Sequence, residues 1–333
     1  MVLKIGGILE MKNIFKLLSL ALVGSTLFVG CQKEEVGRMT VVFENINSPK
    51  SYIYDLYNCW EKEESLFING TEKPVIVSNN TGTVSYVENV KSTTFGTNLY
   101  CFYGGYNNYS SYNASSHTYT FTVPYEMTYA TAGTGQQKTD SPVVGHTTIN
   151  SDGTINRLSL KNVGSMLKFS FANGSTTKEV TIKQIQIEST NKYLSGTATV
   201  TASSNPSAYT ISAPNGAIQH EKQKKLTFDE QGLSIPTTHD NINVYFPIVS
   251  LSNAKLQILI TATFHGQQIL LRSPMFESVS IAQNNIMSLS TITIQGNGNQ
   301  GEGNNPEVVI DGTTYTHSGA DNNNTWRLQV VNN

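Results

Sequence analysis

Three sets of side chains have types and spacings that could do chemistry. Ser165-Met-Leu-Lys168 and Ser175-Thr-Thr-Lys178 each place a hydroxyl three residues before an amine. That is the Ser-x-x-Lys spacing of penicillin-binding enzymes, in which a helix start brings the two groups together. Here Lys168 is the polar partner in an alternating, strand-like run, and no Lys-Thr-Gly or Ser-Asp-Asn accompanies either pair, so neither predicts catalysis. The six histidines, His117, His146, His220, His239, His265 and His317, include no pair at ligand spacing, and zinc is not indicated. The acidic residues do not form a calcium loop. No cofactor, metal or enzymatic activity is therefore expected.

Cys31 is different. Lys12 and Lys16 lead into an apolar run from Leu17 to Val29, closed by Gly30 and Cys31. A basic start, an apolar stretch and a small residue at the cut describe a secretory signal. The run is shorter than the ~20 apolar residues that span a bilayer as a helix. Met11 opens this signal, and we expect it to be the true start. Phe28-Val29-Gly30-Cys31 resembles a lipobox, with Phe28 where Leu is usual. The resemblance implies a diacylated Cys31 at the head of the mature protein, and ~0.8 kcal/mol per buried methylene would make that a firm anchor. Gln32, Lys33, Glu34 and Glu35 resemble a short export tag for display on the outer membrane's exterior; they also read as a solvated tether.

Cys59 and Cys101 remain. In an oxidising compartment they could bridge, and they read equally well as two buried thiols. The formal net charge is -2 with only 14% charged residues, which leaves no basic footprint for nucleic acid. The 26 Gly and 16 Tyr, among much Ser, Thr and Asn, suit a β-rich exported protein.

The elements that must carry these residues are strands. Apolar residues recur with period two at Tyr119, Phe121 and Val123, at Leu167, Phe169 and Phe171, and at Ile242, Val244, Phe246 and Ile248. The longest such run is Leu256, Ile258, Ile260, Ala262 and Phe264. Polar partners between them predict sheets with one wet face, as in antiparallel sandwiches. Val180 and Ile182 share a parity that Ile185 and Ile187 do not, and Met287 and Leu289 likewise give way to Ile292 and Ile294. Each break predicts a bulge or a strand that changes sheets. Asn69-Gly70, Asn173-Gly174, His265-Gly266 and Asp311-Gly312 are turn signals.

The expected organisation is a signal peptide over 1–30 and a lipidated tether over 31–38. An N-terminal β-sandwich over 39–150 and a C-terminal one over 151–295 follow. A flexible linker with no apolar residue spans 296–305, and a tail spans 306–333. Residues 106–116 read as a loop. Its Tyr106, Tyr109 and Tyr112 have the palette of an adaptable ligand loop, or of rings resting on the sandwich. In the tail, Trp326, Leu328 and Val330 alternate with polar residues. They form either a small hairpin or an extended segment offered to another subunit.

Taken in order, these segments resemble the fimbrillin family, the subunits of type V pili and related surface lipoprotein adhesins. The likeness is carried by the lipoprotein signal, MTVVF at 39–43, TFG at 94–96 and TVPY at 122–125. It continues through LSLKNVGSMLKFSF at 158–171, LSGTA at 194–198, VYFP at 244–247 and the closing strand at 286–294. It covers roughly residues 31–295. It implies an all-β chain of two tandem transthyretin-like β-sandwich domains and a role in adhesion or pilus assembly. Its partners would be other fimbrial subunits or host and microbial surface receptors. The family's trimming after an Arg would fall at Arg38, which also reads as a tether residue, and its carboxyl-terminal donor strand would fall on Trp326, Leu328 and Val330. The alternative is a glycan-binding surface lipoprotein of a polysaccharide uptake system, using the tyrosine loop.

Overall fold

Period-two alternation and paired positive-φ turns build this chain into β-sheet throughout the described residues. The computed structural model describes residues 37–43, 65–78, 81–86, 96–103, 109–129, 142–151, 155, 158–202, 210–215, 221–238, 240–317 and 325–331. Of the turn signals, Asn69-Gly70 (φ 47° and 79°), His265-Gly266 (48° and 78°) and Asp311-Gly312 (50° and 73°) each have two consecutive left-handed residues. That is the conformation whose twist suits a two-residue hairpin. Asn173-Gly174 is not a hairpin turn: Asn173 ends a strand and the Gly174 N–H donates to the Ile294 carbonyl.

The described strands form four sheets. A closed barrel runs in the order Gly37–Phe43, Leu158–Asn162, Val143–Thr148, Asn98–Tyr103, Ser65–Ile68, Thr71–Ser78 and Thr81–Tyr86, and the last strand pairs back to the first. A second sheet contains Ile242–Ile248, Ser165–Asn173, Ile292–Gly296, Pro306–Ile310 and Thr313–Thr316, with Ile286–Ser288 also on Ser165–Asn173. A third is ordered Arg327–Val331, Gln267–Arg272, Leu251–Phe264, Val180–Ser189, Gln223–Thr227 and Glu126–Thr128, with Leu233–Ile235 and Phe276–Ile281 off this path. The fourth joins Thr210–Asn215, Gly196–Thr201, Thr118–Val123 and Tyr109–Asn113. The chain is all-β, with sheet packed on sheet in tandem sandwich layers.

The main core lies between these layers. Leu167, Phe169, Phe171, Val244 and Phe246 from the second sheet belong to one buried cluster with Ile185, Ile187, Ile258, Ile260, Leu271 and Leu328 from the third. Each such side chain contributes about 1.5–3 kcal/mol when fully buried. The barrel encloses a smaller cluster of Leu66, Ile68, Leu99, Cys101, Val143, Leu158 and Leu160. Alternation sends the neighbours Tyr100, Phe102 and Val144 the other way, into the main cluster, so barrel strands are apolar on both faces.

Three expectations are corrected. First, the sheets do not part at residue 150. Leu158–Asn162 completes the barrel, parallel to Gly37–Phe43 and antiparallel to Val143–Thr148. Thr118–Val123 and Glu126–Thr128 pair instead with Gly196–Thr201 and Gln223–Thr227. Second, 296–305 is a folded turn. The Asn297 N–H donates to the Asn305 carbonyl and the Gly303 N–H to the Asn297 carbonyl. A Cβ on Gly296 would lie 2.0 Å from the Gly303 carbonyl oxygen, so only glycine permits this closeness. Third, 106–116 is not wholly loop, because Tyr109–Asn113 pairs with Thr118–Val123. A register shift between Tyr109 and Ser111 interrupts the alternation there, which hides the strand from a period-two reading. Of the two phase breaks, the one between Ile286–Ser288 and Ile292–Gly296 keeps both strands parallel to Ser165–Asn173 but adds one residue between the pairs Lys168–Ser288 and Phe171–Ile292, a bulge-like slip.

The other phase break is a bulge. Against Leu251–Phe264 the register shifts between Ile182 and Gln184, leaving Lys183 as the extra residue. Its Nζ donates to the Glu230 and Gln231 carbonyls at 2.8 Å each.

Candidate functional site

The terminal strand, Arg327–Val331, is an edge strand of the third sheet. It runs antiparallel to Gln267–Arg272, with Leu328 opposite Leu271, Gln329 opposite Leu270 and Val330 opposite Ile269. Alternation in the sequence dictates its faces. Leu328 is fully buried, Trp326 and Val330 are partly buried against the main cluster, and Val331 is exposed. The Trp326 ring meets Phe276 edge-on, 6.4 Å between centroids, an orientation aromatic quadrupoles favour. Of the three residues singled out for a donor strand, Leu328 and Val330 therefore lie in the chain's own sheet, and Trp326 directly precedes that strand. The tail is an integral edge of the fold, and Pro306–Ile310 with Thr313–Thr316 forms a hairpin on Ile292–Gly296.

A second contact holds this strand. The Val330 N–H donates to His317 Nδ1 at 3.1 Å, and His317 makes a parallel backbone bridge to Leu328. His317 follows Thr313–Thr316 directly, so it joins the rim of the second sheet to the rim of the third.

The tyrosine hairpin is glued to the barrel by its rings. Tyr109 stacks on Phe67 with centroids 3.8 Å apart. Tyr112 lies 4.5 Å from Tyr119, and its hydroxyl and His117 Nδ1 are hydrogen-bonded at 3.1 Å. Tyr119 is fully buried; its hydroxyl donates to the Tyr100 carbonyl at 2.6 Å and accepts from the Gly70 N–H at 3.3 Å. Burial, reinforced by the neighbouring Cys101, pushes its phenol well above the usual range. Gly70 admits the hairpin, since a Cβ there would lie 2.7 Å from the Tyr112 ring. His117 stacks on Tyr100 at 3.9 Å. His146, 5.2 Å from Tyr100 on centroids, has its imidazole pushed down by burial and then by His117. Tyr109 and Tyr112 thus pack against the barrel rather than standing free as a stack; Tyr106 lies outside the described residues.

Arg38 is placed within the first barrel strand, opposite Ser85. It is not part of a tether. Further along the same strand, Val41 lies opposite Leu158. Cys31, Gln32, Lys33, Glu34, Glu35 and Cys59 lie outside the described residues. Cys101 carries a free, buried thiol, and desolvation pushes its pKa far up.

No protein-family model matches the chain, and no curated protein matches it. Solved structures do. The chain is similar to candidate cell adhesion proteins of Bacteroides. One from Bacteroides uniformis matches with a TM-score of 0.44 at 12% identity, over 85% of this chain and 100% of that one. Another, from Bacteroides ovatus, matches with a TM-score of 0.40 at 9% identity, over 79% and 92%. A C-terminally truncated tip fimbrial protein from Porphyromonas gingivalis matches with a TM-score of 0.32 at 9% identity, over 83% and 98%.

The Ser-x-x-Lys pairs sit in structural roles. Ser165 and Lys168 lie in one strand, Ser165–Asn173, where an odd offset turns side chains to opposite faces. Ser165 Oγ donates to the Ala282 carbonyl at 2.8 Å. Ser175 Oγ donates to Glu302 and accepts from the Lys178 N–H, while Lys178 Nζ donates to Asn304. Glu302 also accepts from the Thr176 N–H (2.6 Å), the Thr176 hydroxyl (2.8 Å) and the Thr177 hydroxyl. These bonds, the Thr177 hydroxyl foremost, hold its carboxyl down at about 2. His317 and Glu302 are the residues the sequence reading missed. Neither stands in a motif, and each acquires its role from a partner distant in the chain.

Proposed function

We propose that this chain is a non-catalytic surface lipoprotein for cell adhesion or fimbrial assembly. In this reading it is held to the outer membrane by lipid on Cys31, faces the exterior, and meets other fimbrial subunits or surface receptors. The observation that carries the reading is the terminal strand. It is short and completes a sheet edge mainly through main-chain pairing and the apolar side chains of Trp326, Leu328 and Val330. Main-chain pairing is generic between strands, whereas pockets for alternate side chains confer specificity. An identical neighbour presents the same edge along Gln267–Arg272 and the same buried position for Leu328 opposite Leu271. The strand can therefore complete a neighbour's sheet as it completes its own, and this supports assembly by exchange.

The anchor is tested by metabolic labelling with radioactive palmitate in the cells that make the protein. Label is expected on the wild type and absent from Cys31→Ser. Equal incorporation in both would remove the lipoprotein part of the reading. The assembly part is tested by deleting 326–333, which should abolish higher-order ladders at the cell surface.

A further inference from the structure

The contact between His317 and Val330 is more than a rim hydrogen bond. Main-chain N–H groups point alternately to the two sides of a strand. Val330 donates to His317, so its N–H points away from Gln267–Arg272, towards the outer edge. His317 also bridges Leu328 through the backbone, two residues along on the same side. A single residue therefore covers the outer edge of the terminal strand at both Leu328 and Val330. Open edges of this kind invite pairing with other chains, and folds commonly cover them. The cover here is His317, which directly follows Thr313–Thr316, the edge of the second sheet. The terminal strand is thus clasped on two sides, by Gln267–Arg272 and by His317.

We propose that His317 is a latch. It holds the terminal strand in the chain's own sheet and restrains its transfer to a second copy of this chain. The inference rests on the exchange reading above and adds its control. The chemistry needs one acceptor at Nδ1 and no charge: a residue that can accept from the Val330 N–H keeps the latch, and one that cannot releases it.

The test uses the full mature chain and three variants. His317→Ala removes the acceptor. His317→Gln keeps an amide oxygen in reach. The third adds Leu270→Cys and Gln329→Cys to His317→Ala, joining two residues that face each other across the ladder. In His317→Ala, amide exchange at Val330 should rise about tenfold, the scale of one lost hydrogen bond, and sedimentation should reveal concentration-dependent dimers. His317→Gln should behave as wild type in both measurements. The oxidised cysteine pair should return the His317→Ala chain to monomer. The latch is overturned if Val330 exchange in His317→Ala equals wild type, or if that variant sediments as wild type does. It is also overturned if the dimers persist with the cysteine pair oxidised. Failure of the exchange reading shows elsewhere, as cell-surface ladders that survive deletion of 326–333.

Discussion

Leu328 sits directly across the ladder from Leu271, and both are buried. This pairing makes the last strand of the chain a wall of the main core. Leu328→Ala should therefore cost about 2–5 kcal/mol, the range for truncating a buried leucine. Urea denaturation should show the loss as a lower midpoint at an unchanged slope. A tail resting loosely on the surface would show no shift.

Glu302 gives the fold an acid-sensitive clamp. Its folded pKa, about 2, lies below the ordinary 4.5. A depressed carboxyl contributes stability that is complete above the unfolded value and is lost as pH falls through the folded one. The contribution should thus be whole above about pH 4.5 and fade towards about pH 2. Melting temperature followed across that window should fall more steeply for wild type than for Glu302→Gln. Parallel curves would show that the Ser175, Thr176 and Thr177 bonds do not tie the 296–305 turn to the second sheet.

Tyr112→Phe and Tyr112→Ala separate two contributions to hairpin docking. Losing the hydroxyl that bonds His117 should cost about 0.5–1.5 kcal/mol. Losing the ring over Tyr119 should cost about 0.5–1.5 kcal/mol more, beyond the buried area. Chemical denaturation measures both. Equal stability of the Phe and Ala variants would mean that the ring contributes nothing to docking.

Cys101 should resist alkylation in the folded chain. Its thiol is buried within the barrel and its pKa is raised by desolvation, and the reactive species is the thiolate. Peptide mass mapping after iodoacetamide treatment should find Cys101 unmodified in buffer and modified in urea. Modification in buffer at the rate seen in urea would place Cys101 outside the barrel core.

Much of this fold is legible from side-chain parity. Leu256 to Phe264 alternates in the sequence and does so in the sheet, and the parity break after Ile182 marks the bulge at Lys183. Asn69-Gly70 and His265-Gly266 specify their hairpins because both positions must take positive φ. Parity is silent on which strand pairs with which. Leu158–Asn162 reads as part of the second half and closes the barrel of the first, because pairing partners are chosen by long-range packing. The turn at 296–305 has no apolar residue to signal order; glycine contacts and the Glu302 carboxylate fold it. At the candidate site, Trp326, Leu328 and Val330 announce a strand by alternation. His317 announces nothing, since its partner, Val330, lies thirteen residues away and meets it only where the rims of the two sheets come together.

On the proposed reading, the terminal strand passes between copies at the cell surface. The most direct measurement is assembly of the full chain carrying Leu270→Cys and Gln329→Cys, displayed on cells and resolved as ladders without boiling. With the disulfide formed, the strand is tied to its own sheet, and the account predicts displayed monomers that assemble only after mild reduction. Ladders of wild-type extent from the oxidised protein would contradict it.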